Sequence, residues 1–415
     1  MIQAKTNPMR ILFAATNLPI PATNGHAIRT LSIVRALASM GHEVYFTSFV
    51  SERRSEDLEP LRSYCRMIEL VEREVVTMAE RTDYLSRAAC LLRGRPYSIE
   101  RFRSGPMMDK IVNELNKGEC DLILSDGIYA LVNIPQTKIP IALNTHNVEY
   151  VIYKRYFRLE KSLPRKLYAS AEAHLVKRAE RNSCHRAAVA MACSSIDAEI
   201  LGRLRPDLHV FVVPNTVDTD FYRPTESNNI QNCRPLLLFQ GSMDWYPNRD
   251  AVEYFVRDTL PMVRAEIPDV RFVVAGRNPP ARFQAELTAC GGVEFTGTVP
   301  DIRPYLSSAT VVVVPLRLGG GTRIKILEAC ASGKPIVSTR IGAEGLELDD
   351  GKDIILADSP SELARAIVAL LRDPTRREVI AQSARAVVIE RYGNRVLEEN
   401  MKNVLESVQS RKDGV

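Results

Sequence analysis

From Pro315 to Thr339 the chain reads PLRLGGGTRIKILEACASGKPIVST. An apolar run, TVVVVPL at 310–316, predicts a strand that breaks at Gly319, Gly320 and Gly321. A helix is expected from about Thr322 to Ser332, stopped by Gly333, and PIVST then predicts a second strand. Strands alternating with helices in this way belong to parallel, doubly wound sheets. Glycines between a strand and a helix let backbone amides approach an anion at the positive helix start. Lys325 and Glu328 lie three residues apart and share one side of that helix. The pattern suits a nucleoside diphosphate: amides and Lys325 for the phosphates, Glu328 for a pair of sugar hydroxyls. The alternative is a tight turn that needs glycine and nothing more. A nucleoside-triphosphate P-loop is excluded, because Gly333-Lys334 is followed by Pro335 and falls at a helix end.

The same alternation runs the whole chain. RILFAAT (10–16), HEVYFTSFV (42–50), DLILSD (121–126), PIALNTH (140–146), AVAMACSS (188–195) and VFVVPN (210–215) read as strands of a first half. The pattern restarts at PLLLFQGS (235–242) and continues through VRFVVAG (270–276) and VEFTGTV (293–299). The expected organisation is α/β. It has a Rossmann-like domain over 1–213, a linker over 214–234 and a second Rossmann-like domain over 235–390. A C-terminal helix over 391–415 is able to cross back to the first domain. Two such domains in series are expected to face each other across a cleft at the carboxyl ends of their strands. A single-cofactor dehydrogenase is disfavoured, because the first turn, TNLPIPATNGHAIRT, lacks the spacing Gly-x-Gly-x-x-Gly.

The 415 residues are 45% hydrophobic and 25% charged, as in soluble globular proteins, and no apolar run is long enough to span a bilayer. The N-terminus shows no signal-peptide cleavage region, so a cytoplasmic location is expected. Eight scattered cysteines predict reduced thiols, and six histidines show no metal-ligand spacing. Asp218 and Asp220 have the Asp-x-Asp shape of a metal–nucleotide site but sit in PNTVDTDFYRP, which reads as a turn. The net charge of +5 is uneven: residues 151–186 alone hold ten Lys and Arg against three Asp and Glu. That segment reads either as a solvated helix face or as a contact for anionic lipid.

Five segments carry a resemblance. They are 19–44 (PIPATNGHAIRTLSIVRALASMGHEV), 144–150 (NTHNVEY), 213–224 (VPNTVDTDFYRP), 239–255 (FQGSMDWYPNRDAVEYF) and 313–339. In this order the chain resembles the retaining, nucleotide-sugar-dependent glycosyltransferases of family 4, in particular a subgroup of bacterial polysaccharide-cluster transferases. The resemblance implies a B-type fold of two Rossmann-like domains. It implies that Glu328 binds the donor ribose and that Gly319, Gly320, Gly321 and Thr322 cradle the donor phosphates and sugar. His146 is implied to contact the transferred sugar or its phosphate. Gly25 is implied to approach the donor from the first domain, Gly241 and Ser242 to lie near the pyrophosphate, and the backbone at Val299 to recognise the base. Two departures stand out. Gly320 occupies the place of a second family glutamate, and Ser242 the place of an arginine, with Arg249 a loose substitute for the following lysine. Arg323 and Lys325 are the candidate replacement cations.

The resemblance implies transfer of a sugar from a nucleoside-diphosphate sugar to a sugar, lipid-linked or small-molecule acceptor, with retention. The expected catalytic set is His146, Lys325 and Arg323, with no cofactor, no metal and no nucleic acid. A peripheral position on an anionic membrane is an additional expectation. A nucleotide-sugar epimerase of the same fold and a non-catalytic sugar-nucleotide-binding protein remain open alternatives at this point.

Overall fold

The computed structural model describes residues 8–22, 24–50, 58–73, 82–224 and 234–413. The chain divides into two compact units, Met1–Pro214 with Leu397–Val415, and Asn215–Val396. Residues 225–233 of the expected linker, with Cys233, lie outside the described residues.

The first unit is built on seven strands: β1 (Arg10–Ala15), β2 (Glu43–Val50), β3 (Met67–Glu72), β4 (Leu122–Asp126), β5 (Ile141–Asn144), β6 (Val189–Ala192) and β7 (His209–Val212). They pair in the order β3-β2-β1-β4-β5-β6-β7, every pair parallel. The central strands are apolar on both faces because helices cover both faces. Ile11 and Phe13 of β1 pack on one side and Leu12 and Ala14 on the other, each set in its own buried cluster. The C-terminal helix Asn394–Asp413 closes the first cluster with Leu397, Met401, Val404, Leu405 and Val408, whose i, i+4, i+7, i+8 and i+11 spacing forms one apolar stripe.

The second unit has six strands: β8 (Leu236–Gln240), β9 (Arg271–Ala275), β10 (Val293–Gly297), β11 (Val311–Val314), β12 (Ile336–Ser338) and β13 (Ile355–Leu356). Their order is β10-β9-β8-β11-β12-β13, again all parallel. The order reverses direction between β8 and β11, the switch point at which open α/β sheets bind ligands. Residues 215–224, read from the sequence as linker, belong to this unit: Val217 lies in its core and the Val217 amide donates to the Tyr392 carbonyl at 2.9 Å.

Candidate functional site

In the first unit, strand register builds the site. Asp126 ends β4, Asn144 ends β5, and the two residues pair directly across the ladder. Asn144 Nδ2 donates to Asp126 Oδ1 at 2.6 Å, and Arg29 Nε donates to Asn144 Oδ1 at 3.0 Å. The helix Gly25–Ser39, capped by the Asn24 side chain on the Ala27 amide, brings His26, Arg29 and Thr30 to one face through their i, i+3, i+4 spacing. Thr30 Oγ1 donates to Asp126 Oδ2 at 2.6 Å. His146, two residues past β5, places Nε2 2.7 Å from Asp126 Oδ1. His26 Nε2 lies 3.2 Å from Asp126 Oδ2, and the two imidazoles stack at 3.8 Å between centroids.

Burial alone would raise the Asp126 carboxyl. The charges and hydrogen bonds of His146 and His26 outweigh it and hold the group well below the usual carboxylate range. His146 is lowered to about 4 by burial and then by His26, with Asp126 only partly opposing the shift. An ionised carboxylate only accepts, so the neutral His146 carries its proton on Nε2 and keeps the Nδ1 lone pair for a ligand hydroxyl. No residue hydrogen-bonds to either Nδ1 of the stacked pair among the described residues.

The sequence reading named His146 and Gly25 and did not name His26, Asp126, Asn144 or Arg29. It also saw no metal-ligand spacing, yet ligand atoms of His26, Asp126 and His146 come within 4.8 Å of one another. The donor set fits a hydrogen-bonded cluster better than a cation site. Asp126 Oδ1 already accepts from Asn144 and His146, and Oδ2 accepts from Thr30. A cation here has to displace the His146 N–H, the Asn144 amide and the Thr30 hydroxyl from the carboxylate.

In the second unit, the helix Ile324–Ala331 starts two residues later than the sequence suggested. Arg323 is its N-cap, with extended backbone, and its buried guanidinium donates to the carbonyls of Gly320 and Gly321. This differs from the expected role as a phosphate cation beside Lys325: Arg323 shapes the glycine loop from within. Gly319 has φ +128°, and a Cβ there would meet the Arg323 guanidinium at 2.7 Å, so the wrap requires glycine. Thr322 is tied down by Asn215, whose Nδ2 donates to Thr322 Oγ1 at 2.8 Å.

Lys325 reaches the loop that follows β8. Its Nζ donates to Asn248 Oδ1 at 2.8 Å and lies 4.2 Å from the Phe239 ring centroid. Asn248 Nδ2 donates in turn to the Ser242 carbonyl at 2.7 Å. A Cβ on Gly241, whose φ is +153°, would come within 2.7 Å of that Nζ. Burial, reinforced by Arg323, brings the Lys325 ammonium down to about 7. Glu328 sits one turn on, its carboxyl raised to about 7 by burial. Tyr222 donates to Glu328 Oε1 at 3.0 Å and Gln240 Nε2 to Oε2 at 2.7 Å. Each oxygen keeps a further acceptor position.

The fold thus brings together Gly241, Ser242, Lys325 and Glu328 and adds Tyr222, Gln240 and Asn248, which the sequence reading did not name. Arg277 was also missed; its Nε donates to Ser242 Oγ at 3.2 Å and pairs with Asp244 at 3.3 Å. Arg249 instead holds the Met243 carbonyl at 2.7 Å. Val299 lies two residues past β10 and hydrogen-bonds to none of this group among the described residues. Asp218 does form a turn, its Oδ1 accepting from the amides of Asp220 and Phe221.

Comparison with known proteins places this architecture. Residues 23–221 match the model of Glycosyltransferase Family 4, and residues 234–373 match that of Glycosyl transferases group 1. The chain belongs to this family of glycosyltransferases, with two parallel-sheet domains. It is 23% identical over 400 residues to an uncharacterized 44.6 kDa protein in the cps region of Klebsiella pneumoniae, covering 93% of this chain and 97% of that protein. It is 32% identical over 160 residues to a phosphatidyl-myo-inositol mannosyltransferase of Mycobacterium leprae, covering 36% of this chain and 41% of that enzyme. The match thus spans less than half of that mannosyltransferase. Among solved structures, sucrose-phosphate synthase from Thermosynechococcus elongatus superposes with a TM-score of 0.76 at 16% identity, covering 97% of this chain and all of that one.

Proposed function

We propose that this glycosyltransferase moves a sugar from a nucleoside-diphosphate sugar to an acceptor hydroxyl with retention, in polysaccharide, glycolipid or glycoconjugate synthesis. One observation carries the donor side: the enclosed Lys325 ammonium meets Gly241 and Asn248 at the sheet's switch point, one helical turn from Glu328. A cation fixed there meets the charge that accumulates on a departing diphosphate, and preorganised stabilisation of that charge lowers the barrier. Glu328 accepts the ribose hydroxyls, and Gly319–Thr322 lines the donor. His146 offers Nδ1 to a sugar hydroxyl. Lys325 supplies the charge in place of a metal, with no other cofactor. The leaving phosphate helps remove the acceptor proton in a front-side reaction.

The acceptor is a sugar, a lipid-linked saccharide or a small molecule. No helix among the described residues is long and apolar enough to cross a membrane. The basic segment 151–186 gives the enzyme a peripheral hold on an anionic cytoplasmic surface. Incubation of the pure protein with radiolabelled nucleotide sugars and candidate acceptors tests the reading. Label in the acceptor is the expected result. Isomerised donor, or binding without turnover, overturns it.

A further inference from the structure

The ten cations and three carboxylates of residues 151–186 are sorted by the fold onto different sides. Two helices, Glu149–Leu159 and Leu163–Arg186, and the turn between them with Glu160 and Lys161 carry them. Glu172 and Glu180 are buried and turned inward: Glu172 accepts from the Ser98 amide at 2.8 Å, and Glu180 from the amides of Glu149 and Tyr150 at 2.7 and 3.1 Å. Glu160 is engaged at the corner by the Tyr156 hydroxyl and the Ser162 amide. Lys154, Arg158, Lys161, Arg165, Lys166 and Lys177 make no ion pair among the described residues.

Two more features share this corner. Leu159, Leu163 and Leu167 are 41%, 66% and 62% exposed. Leu163 and Leu167 lie at i, i+4 on one helix face, and Leu159 ends the preceding helix. Single exposed leucines are ordinary; three at one turn, interleaved with unpaired cations, match surfaces that enter a lipid interface. Between the helices lies a cavity of about 450 Å³ lined by Lys154, Phe157, Arg158, His174 and Lys177 among others, with no carboxylate in its wall.

We propose that this corner docks on an anionic bilayer leaflet, with Leu159, Leu163 and Leu167 entering the headgroup boundary and the cavity holding a lipid phosphate. It deepens the peripheral reading above by naming the inserting and headgroup-binding residues, and it needs no turnover to be measured. Each basic residue near such a surface strengthens binding roughly fivefold, and salt screens the attraction within about 10 Å at 0.1 M.

The test is co-sedimentation of the full chain with phosphatidylcholine vesicles, with and without phosphatidylglycerol, at low and high salt. Expected is binding at least tenfold tighter to the anionic vesicles, weakened by salt. The Leu163→Ser/Leu167→Ser double variant should lose about tenfold at both salt levels. Lys154→Glu/Lys177→Glu should lose more on anionic vesicles and nothing on neutral ones. Circular dichroism confirms folding, and transfer to a soluble acceptor should not change. A wild type that stays in the supernatant at low salt overturns the proposal, as does a leucine variant that binds like wild type. A protein that sediments but transfers nothing refutes the enzymatic reading instead, so the two failures are distinguishable.

Discussion

His146 donates from Nε2 to the Oδ1 of Asp126 at 2.7 Å, across the carboxyl ends of two adjacent strands. The bond fixes the tautomer: the proton faces the buried carboxylate, and Nδ1 faces away as an acceptor. Asp126→Asn keeps the size of the side chain but can present an amide N–H where the carboxylate accepted, which turns the imidazole's preference round. The lost hydrogen bond to a sugar hydroxyl contributes ~0.5–1.5 kcal/mol, so turnover is expected to fall roughly 2–13-fold, with a smaller change in donor KM. The measurement is steady-state kinetics beside a thermal melt. Unchanged kcat in a folded Asp126→Asn protein removes His146 from the mechanism.

Lys325→Ala should reduce kcat by ~10²–10³, the cost of removing one preorganised group from a developing anion. The same ammonium gives a pH signature. Held down to about 7 by burial, it loses its charge as pH rises through neutrality. Glu328, raised to about 7 by burial, gains its charge over the same interval. Donor binding that needs Lys325 charged and Glu328 ionised therefore peaks near pH 7 and weakens on both sides. Titration calorimetry from pH 5.5 to 9 reads this directly. Glu328→Gln should flatten the acid limb and, because the Glu328 charge raises the Lys325 pKa, move the alkaline limb to lower pH.

Glu328→Ala should act chiefly on donor affinity. The ribose hydroxyls are present in the ground state, so their loss is uniform binding, seen in KM more than in kcat. A hydrogen bond to a charged group contributes ~1.5–3 kcal/mol, or roughly 10–150-fold in Kd. Tyr222→Phe is the finer probe. The Tyr222 hydroxyl bond lowers the Glu328 pKa against burial. Its removal should move the acid limb of donor binding to higher pH while kcat at pH 8 holds. An acid limb that stays in place shows that Glu328 does not govern it.

The two parallel sheets were legible because their strands are short β-branched runs between helices, a pattern that burial on both faces imposes. Lys325 and Glu328 were legible because neighbours on one helix are fixed by local spacing. The Asp126 cluster was not. His26, Asp126 and His146 are 100 and 20 residues apart, and only strand register and the first helix join them. Tyr222 was hidden in the expected linker, its partner 106 residues away. The Arg323 side chain folds back on two carbonyls, an orientation that sequence position does not encode.

Chelation tests the claim that cations of the chain itself do the work of a metal. The best ligand set among the described residues, His26, Asp126 and His146, is closed by its own hydrogen bonds. Asp218 is engaged by two backbone amides of its turn. The proposed mechanism therefore assigns charge on the leaving diphosphate to Lys325, alone or with Arg277, whose guanidinium lies beside Ser242. EDTA should leave the initial rate unchanged, and added Mn²⁺ or Mg²⁺ should not raise it. Arg277→Ala should lower the rate in either condition. If chelation abolishes activity and manganese restores it, a divalent ion is the electrophile. His26→Ala and Asp218→Ala then decide where it binds: the variant that manganese no longer rescues marks the site.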